Sequence, residues 1–135
     1  VYASSTGKCS LQEAGVSASS DSLRSRGLAS NYDNTDIYIS LHSNGYQGDC
    51  SGASCPNGTC TYYDTSTEHA SWGAISKTLA TAINTAIVDA IRNRYGDATW
   101  RNRGAIDANG GQAETRIPKR AAVLIERFVL DGRHC

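Results

Sequence analysis

A chain of 135 residues, 39% hydrophobic and 19% charged, has the length and apolar content for one ordinary domain with a real core. Its 13 basic and 13 acidic side chains cancel, which excludes a general electrostatic grip on nucleic acid or on an anionic membrane. No apolar run approaches the ~20 residues of a membrane span, and the first residues carry no signal-peptide pattern.

The chain contains no Met and opens on Val1, which is the expectation for a processed product or an excised piece. Residues 3–20 are dominated by Ser, Gly, Ala and Thr without a sustained period and are expected to form an irregular loop. Asp21 or Ser22 then caps a short helix through Leu23, Leu28 and Ala29. In Asp36-Ile37-Tyr38-Ile39-Ser40-Leu41-His42-Ser43-Asn44-Gly45 the apolar residues alternate, so 36–41 reads as a short buried strand closed by an Asn-Gly turn. Thr61-Tyr62-Tyr63 has the β-branched and aromatic character of a second, brief strand.

Ser66 or Thr67 caps the strongest helical pattern, from about 68 to 95. Trp72, Ile75, Leu79, Ile83, Ile87 (or Ala86) and Ile91 form its apolar stripe, and Lys77, Thr81, Asn84, Asp89 and Arg92 its polar face. Gly96 stands where a helix stop belongs. A loop around Arg101–Gly104 leads to a strand at about 104–107, and Asn109-Gly110-Gly111 marks a turn. Ala121-Ala122-Val123-Leu124-Ile125 is a continuous apolar run, the mark of a strand buried on both faces. With no repeat and no linker, this order gives a single domain with an α/β fold: a mixed, largely parallel sheet with flanking helices.

Three of the five cysteines lie in Cys50-x4-Cys55-x4-Cys60, inside a loop at about 45–60 rich in Gly, Ser, Asn and Pro. Tight zinc sites use shorter gaps in two separated pairs, so a disulfide-stapled loop in an oxidising compartment is the better reading. An intraloop bridge among Cys50, Cys55 and Cys60 plus one long-range bridge is expected, and the odd count, with Cys9 and Cys135 the other two cysteines, leaves one thiol unpaired or paired outside these residues.

Two polar groups stand at the ends of apolar strands. His42 occupies the carboxyl end of one, where open α/β sheets place ligands and catalytic groups. Glu126 follows the apolar run 121–125, where a carboxylate is costly unless it faces a cleft, a cation or a metal. Its functional reading is a general base or metal-site carboxylate, and its plain alternative is a salt bridge to Arg127, Arg120 or Arg103. His69 falls in the first turn of the long helix, where exposure to solvent is expected, and His134 is next to last. A local zinc site of His42, His69 and Glu68 is disfavoured because Glu68 and His69 diverge on a helix. There is no G-x-S-x-G elbow, no Cys-His constellation around Cys9 and no glycine-rich phosphate loop.

Ser22-Leu23-x-x-Arg26, Ala29-x-Asn31 and the histidine strand Asp36–Asn44 together resemble the central part of zinc-dependent N-acetylmuramoyl-L-alanine amidases of the amidase-3 type. Thr61-Tyr62-Tyr63 with the following helix, Arg103-Gly104-Ala105, and Pro118 with Ala122-Val123-Leu124-Ile125-Glu126 resemble that family's later elements. The resemblance implies a secreted, periplasmic or cell-surface hydrolase. Its Zn²⁺, held by two histidines and a glutamate, serves cleavage of the amide between N-acetylmuramic acid and L-alanine in peptidoglycan. It implies His42 as the second zinc histidine and Glu126 as the catalytic acid/base, with Asn44 and Arg103 as substrate-binding candidates. The family's first zinc histidine and zinc glutamate precede the matched region, and Glu13 stands too close to Ser22 to be that glutamate. The chain is thus expected to lack the N-terminal strand and helix and the last helix, with the missing zinc ligands supplied by residues outside it. The alternative is a non-catalytic peptidoglycan-binding or structural extracellular domain of the same fold.

Overall fold

The run Ala121–Ile125 lies where its composition requires, in the interior of a sheet with every side chain buried. The computed structural model describes residues 18–45 and 57–129. Its elements in chain order are α1 (Ala18–Tyr32), β1 (Ile37–Gly45), β2 (Gly58–Tyr63), α2 (Ala70–Tyr95), β3 (Asn102–Asp107), α3 (Ala113–Arg116) and β4 (Ala121–Val129). The strands form one sheet in the order β1-β4-β2-β3. β1 is parallel to β4 and β2 to β3, while β2 and β4 are antiparallel. This is the mixed, largely parallel α/β sheet that the pattern of elements predicts.

Neither functional candidate ends its strand. β1 continues through His42 to Gly45, and β4 continues through Glu126 to Val129. The two extensions pair with each other as far as Gly45↔Val129, so each supplies the backbone partners that hold the other extended. Asn44-Gly45 therefore belongs to a strand, not to the turn its residue types suggest. β1 is also less buried than expected: Ile37, Ile39 and Leu41 are 50%, 47% and 71% exposed. Among the described strands β1 lies at the edge of the sheet, and α2 packs over β2, β4 and β3.

The long helix α2 ends at Gly96, whose φ of 67° is the left-handed stop expected there. Its inward face is rotated from the apolar stripe. The fully packed line is Gly73, Ser76, Ala80, Asn84 and Val88, whereas Ile75 is 55% and Trp72 38% exposed. Leu79 and Ile83 flank the line and pack against Tyr63, Ala80 and Val123. Polar residues sit inside because each has partners. The Ser76 hydroxyl accepts the Ala122 N–H (3.0 Å), just beyond the last β2–β4 pair. Asn84, assigned by pattern to the polar face, accepts the Thr61 hydroxyl (3.2 Å) and donates to Asn102 Oδ1 (2.6 Å). Hydrogen bonds satisfied in this way remove the desolvation cost that keeps polar groups out of cores.

Helix α1 starts at Ala18, before the predicted cap and inside the segment expected to be irregular. It packs on α3 and on the chain leading into β4. A Cβ on Gly27 would lie 3.1 Å from Ile117 and 3.3 Å from Pro118. Asn31 brackets the same segment, donating to the Ile117 carbonyl (2.9 Å) and accepting the Lys119 N–H (2.6 Å). At the start of β2, Gly58 has φ 116° and a Cβ there would stand 2.3 Å from the Arg101 carbonyl oxygen, so only glycine fits. Cys60 lies within β2 as a buried, free thiol, which corrects its assignment to a disulfide-stapled loop. Cys9, Cys50, Cys55, Cys135, Glu13 and His134 lie outside the described residues. Among the described residues, no helix is long and apolar enough to cross a membrane.

Candidate active site

Register partners on adjacent strands project from the same face of a sheet. His42 in β1 stands opposite Glu126 in β4, and Glu126 stands opposite Cys60 in β2. The same alternation puts Tyr38 and Ser40 on the side of His42, and Ile39 with Val123 on the side covered by α2. His42, Glu126 and Cys60 thus form a row across the face away from α2. The two strand residues singled out in the sequence are brought together as the spacing of their strands requires.

Onto this face the short helix α3 delivers Glu114, which is only 3% exposed. Its Oε2 lies 2.9 Å from His42 Nε2. Its Oε1 accepts the Ser40 hydroxyl at 2.7 Å and the Tyr38 hydroxyl at 3.3 Å, and pairs with the Arg26 guanidinium at 3.4 Å. Burial, and then the Glu114 charge, push the Tyr38 hydroxyl up to about 12. Sequence reasoning missed Glu114. Tyr38, Ser40 and His42 place three hydrogen-bonding side chains on one face of a strand, but such a row by itself fits water as well as a buried acceptor.

Around Glu126 the surroundings are mixed. Burial raises the Cys60 thiol, the Arg103 guanidinium lowers it and the Glu126 carboxylate raises it, so the thiol beside Glu126 is held protonated and neutral. Arg103 is the extra residue of a β-bulge, since Thr59 pairs with Asn102 and Cys60 with Gly104. A bulge of this kind changes the direction of the extra residue's side chain, and the Arg103 charge is felt at Cys60. Arg120, a possible salt-bridge partner of Glu126 by sequence, instead donates to the Thr35 carbonyl. Asn44 lies two residues beyond His42 in β1.

His69 is a correction. It is fully buried at the N-terminus of α2, with Nε2 3.1 Å from the Ser76 hydroxyl, while Glu68 is exposed and pairs with Arg116 at 3.4 Å. Burial holds its imidazole below the ordinary value of 6.5, against the opposing pull of the Asp64 carboxylate and the Arg116 and Pro118 backbone. The unfolded chain therefore takes up a proton that the folded one refuses. The stability contribution is fully present above that ordinary value and is lost as pH falls from there through the folded value. Thermal midpoints measured from pH 8 to pH 5 are expected to fall on the acid side, and His69→Gln is expected to flatten that fall. Equal slopes in the two proteins would remove His69 as the cause.

Among the described residues no group of three His, Cys, Asp or Glu side chains is gathered as a metal site. What they offer a zinc ion is one imidazole, His42, backed by a buried carboxylate, and this donor chemistry fits one position of a zinc shell.

The family described as N-acetylmuramoyl-L-alanine amidase (Amidase_3) matches residues 8–134, almost the whole chain. The chain belongs to that family. The fold agrees with a solved relative, the crystal structure of N-acetylmuramoyl-L-alanine amidase from Clostridium difficile 630, at a TM-score of 0.56 and 25% sequence identity. That alignment covers 78% of this chain and 48% of the relative, so the chain spans about half the relative's length. Among curated proteins none matches. The amidase-3 resemblance of the chain is thereby established at the level of the family.

Proposed function

We propose that the protein carrying this chain is a zinc-dependent amidase that cleaves the bond between N-acetylmuramic acid and L-alanine in peptidoglycan, outside the cytoplasm. The single observation that supports this most is the register pair His42↔Glu126, which sets an imidazole and a carboxylate side by side on the open face of the sheet in a chain of this family. A zinc ion bound through His42, with further ligands from outside the described residues, would polarise the scissile carbonyl and make water a nucleophile near neutral pH. Glu126 serves as the base and then the acid. Its carboxylate takes a proton from the attacking water and delivers it to the nitrogen of the departing L-alanine. Cys60, held protonated, adds no competing charge beside that carboxylate. Arg103 and Asn44 are the residues proposed to hold the substrate, Arg103 through the charge that it brings near Cys60.

Incubating the intact protein with purified cell walls is expected to release new L-alanine amino termini. A chelator is expected to abolish the release, and added zinc to restore it. Release that a chelator leaves untouched would remove the metal from the mechanism, and absence of any release would remove the amidase.

The second reading is a non-catalytic peptidoglycan-binding domain of the same fold. It is favoured by the absence of a three-ligand group among the described residues. Stoichiometric zinc in the purified intact protein decides against it.

A further inference from the structure

Glu114 has no place in the acid/base chemistry, yet it is the best-anchored ionisable group on the open face. All of the donors described on it converge on a carboxylate only 3% exposed, and they come from two elements, α1 and β1. Their division between the two oxygens is unequal. Oε1 faces three groups that can only donate to it: Ser40, Tyr38 and Arg26. Among the described residues, Oε2 faces only His42 Nε2, at 2.9 Å. A carboxylate has no proton to give, so this contact is a hydrogen bond only when Nε2 carries the hydrogen. A neutral imidazole with its proton on Nε2 has its lone pair on Nδ1.

We propose that Glu114 is the positioning residue of His42, fixing its ring as the Nε2–H tautomer so that Nδ1 is the nitrogen available to a metal ion. The proposal rests on the zinc reading only for what Nδ1 binds, and the tautomer itself belongs to the metal-free protein. The logic is that of ligating histidines in general, whose second nitrogen donates to a carboxylate that fixes tautomer and ring orientation. Tyr38 and Ser40 act one step further back, by holding the carboxylate, and Arg26 closes its outer side.

The test uses the intact, metal-free protein labelled with ¹⁵N-histidine, at a pH well above the ordinary imidazole value of ~6.5. The His42 resonances are assigned by their loss in His42→Gln. Long-range ¹H–¹⁵N correlation is expected to show Nε2 protonated and Nδ1 bare. In Glu114→Gln the Ser40 and Tyr38 hydroxyls can donate or accept, but the Arg26 guanidinium can only donate and keeps the amide oxygen on its side, so the amide NH₂ turns to His42 and Nε2 must accept. The proton is then expected on Nδ1. Zinc alone, titrated into the two proteins, is expected to bind about 10- to 100-fold more weakly to Glu114→Gln.

A residue with a merely structural role would leave the tautomer where it was. An Nδ1–H ring in the unsubstituted protein, which requires no variant to fold, overturns the proposal. So does a proton that stays on Nε2 in a folded Glu114→Gln. If the tautomer shifts as stated but neither protein binds zinc, the role of Glu114 stands and the zinc-amidase reading falls.

Discussion

Glu126→Gln is expected to lower amide hydrolysis by the intact protein by about 10²- to 10⁴-fold, the usual contribution of a positioned general acid/base. Gln keeps the shape and hydrogen-bonding capacity of the side chain but cannot carry a proton between water and amine. The choice of this carboxylate over its neighbour follows from their surroundings. Glu114 already has its oxygens engaged by Ser40, Tyr38, Arg26 and His42, and is tied in place as a holder. Glu126 projects from β4 in register with His42, is only partly buried, and faces a neutral thiol on its other side. The substitution is expected to act on kcat, because the proton moves in the transition state and not on binding. Thermal unfolding should be little changed, as the strand pairing on both sides of Glu126 is made by backbone. A folded Glu126→Gln with more than a third of the original rate would place the base elsewhere, and a rate loss matched by a fallen thermal midpoint would make Glu126 a structural residue.

His42 and Glu126 were legible because each breaks a simple pattern: a polar group following an alternating or continuous apolar strand. The sheet class was legible for the same reason, since strand periods and one long helical period survive in the sequence. What could not be read is how elements distant in sequence satisfy one another. Glu114 sits in a four-residue helix, too short to leave a periodic trace, and its value appears only when β1 lies beneath it. Asn84 and Ser76 look like surface residues until Thr61, Asn102 and the Ala122 N–H are placed beside them. His69 looks exposed at a helix start until Ser76 and Asp64 are seen around it. The exposed Ile37, Ile39 and Leu41 show the converse. Their alternation correctly marks a strand, but burial depends on what covers the strand, and α2 packs over its neighbours instead. Hydrophobic pattern specifies which residues can be inside. Long-range hydrogen bonds decide which polar ones join them.

Asp64→Ala is expected to lower the free energy of unfolding by about 3–5 kcal/mol, a large share of the ~5–15 kcal/mol typical of a domain. Asp64 is fully buried just past the end of β2, and its two oxygens accept the Ser66 N–H and the Gly110 N–H, each at 2.7 Å. Alanine leaves both amides without their acceptor, and hydrogen bonds to a charged group contribute roughly 1.5–3 kcal/mol apiece. A reciprocal bracket runs the other way. Asp107, at the end of β3, accepts the Thr65 N–H at 3.2 Å and the Asn109 N–H at 3.0 Å, and the Thr65 hydroxyl donates to its second oxygen. Asp107 is exposed, so water replaces its lost contacts, and Asp107→Ala is expected to cost only about 1 kcal/mol. The contrast between two similar aspartates isolates burial as the cause. The Gly110 turn bonded by Asp64 leads within a few residues into α3, so loosening it also loosens the support of Glu114 on His42. Denaturant unfolding of the two variants, at neutral pH and with unchanged m-values, measures the difference directly. Equal losses from Asp64→Ala and Asp107→Ala would mean that the buried bracket contributes no more than the exposed one, and that the two turns are held together by packing instead.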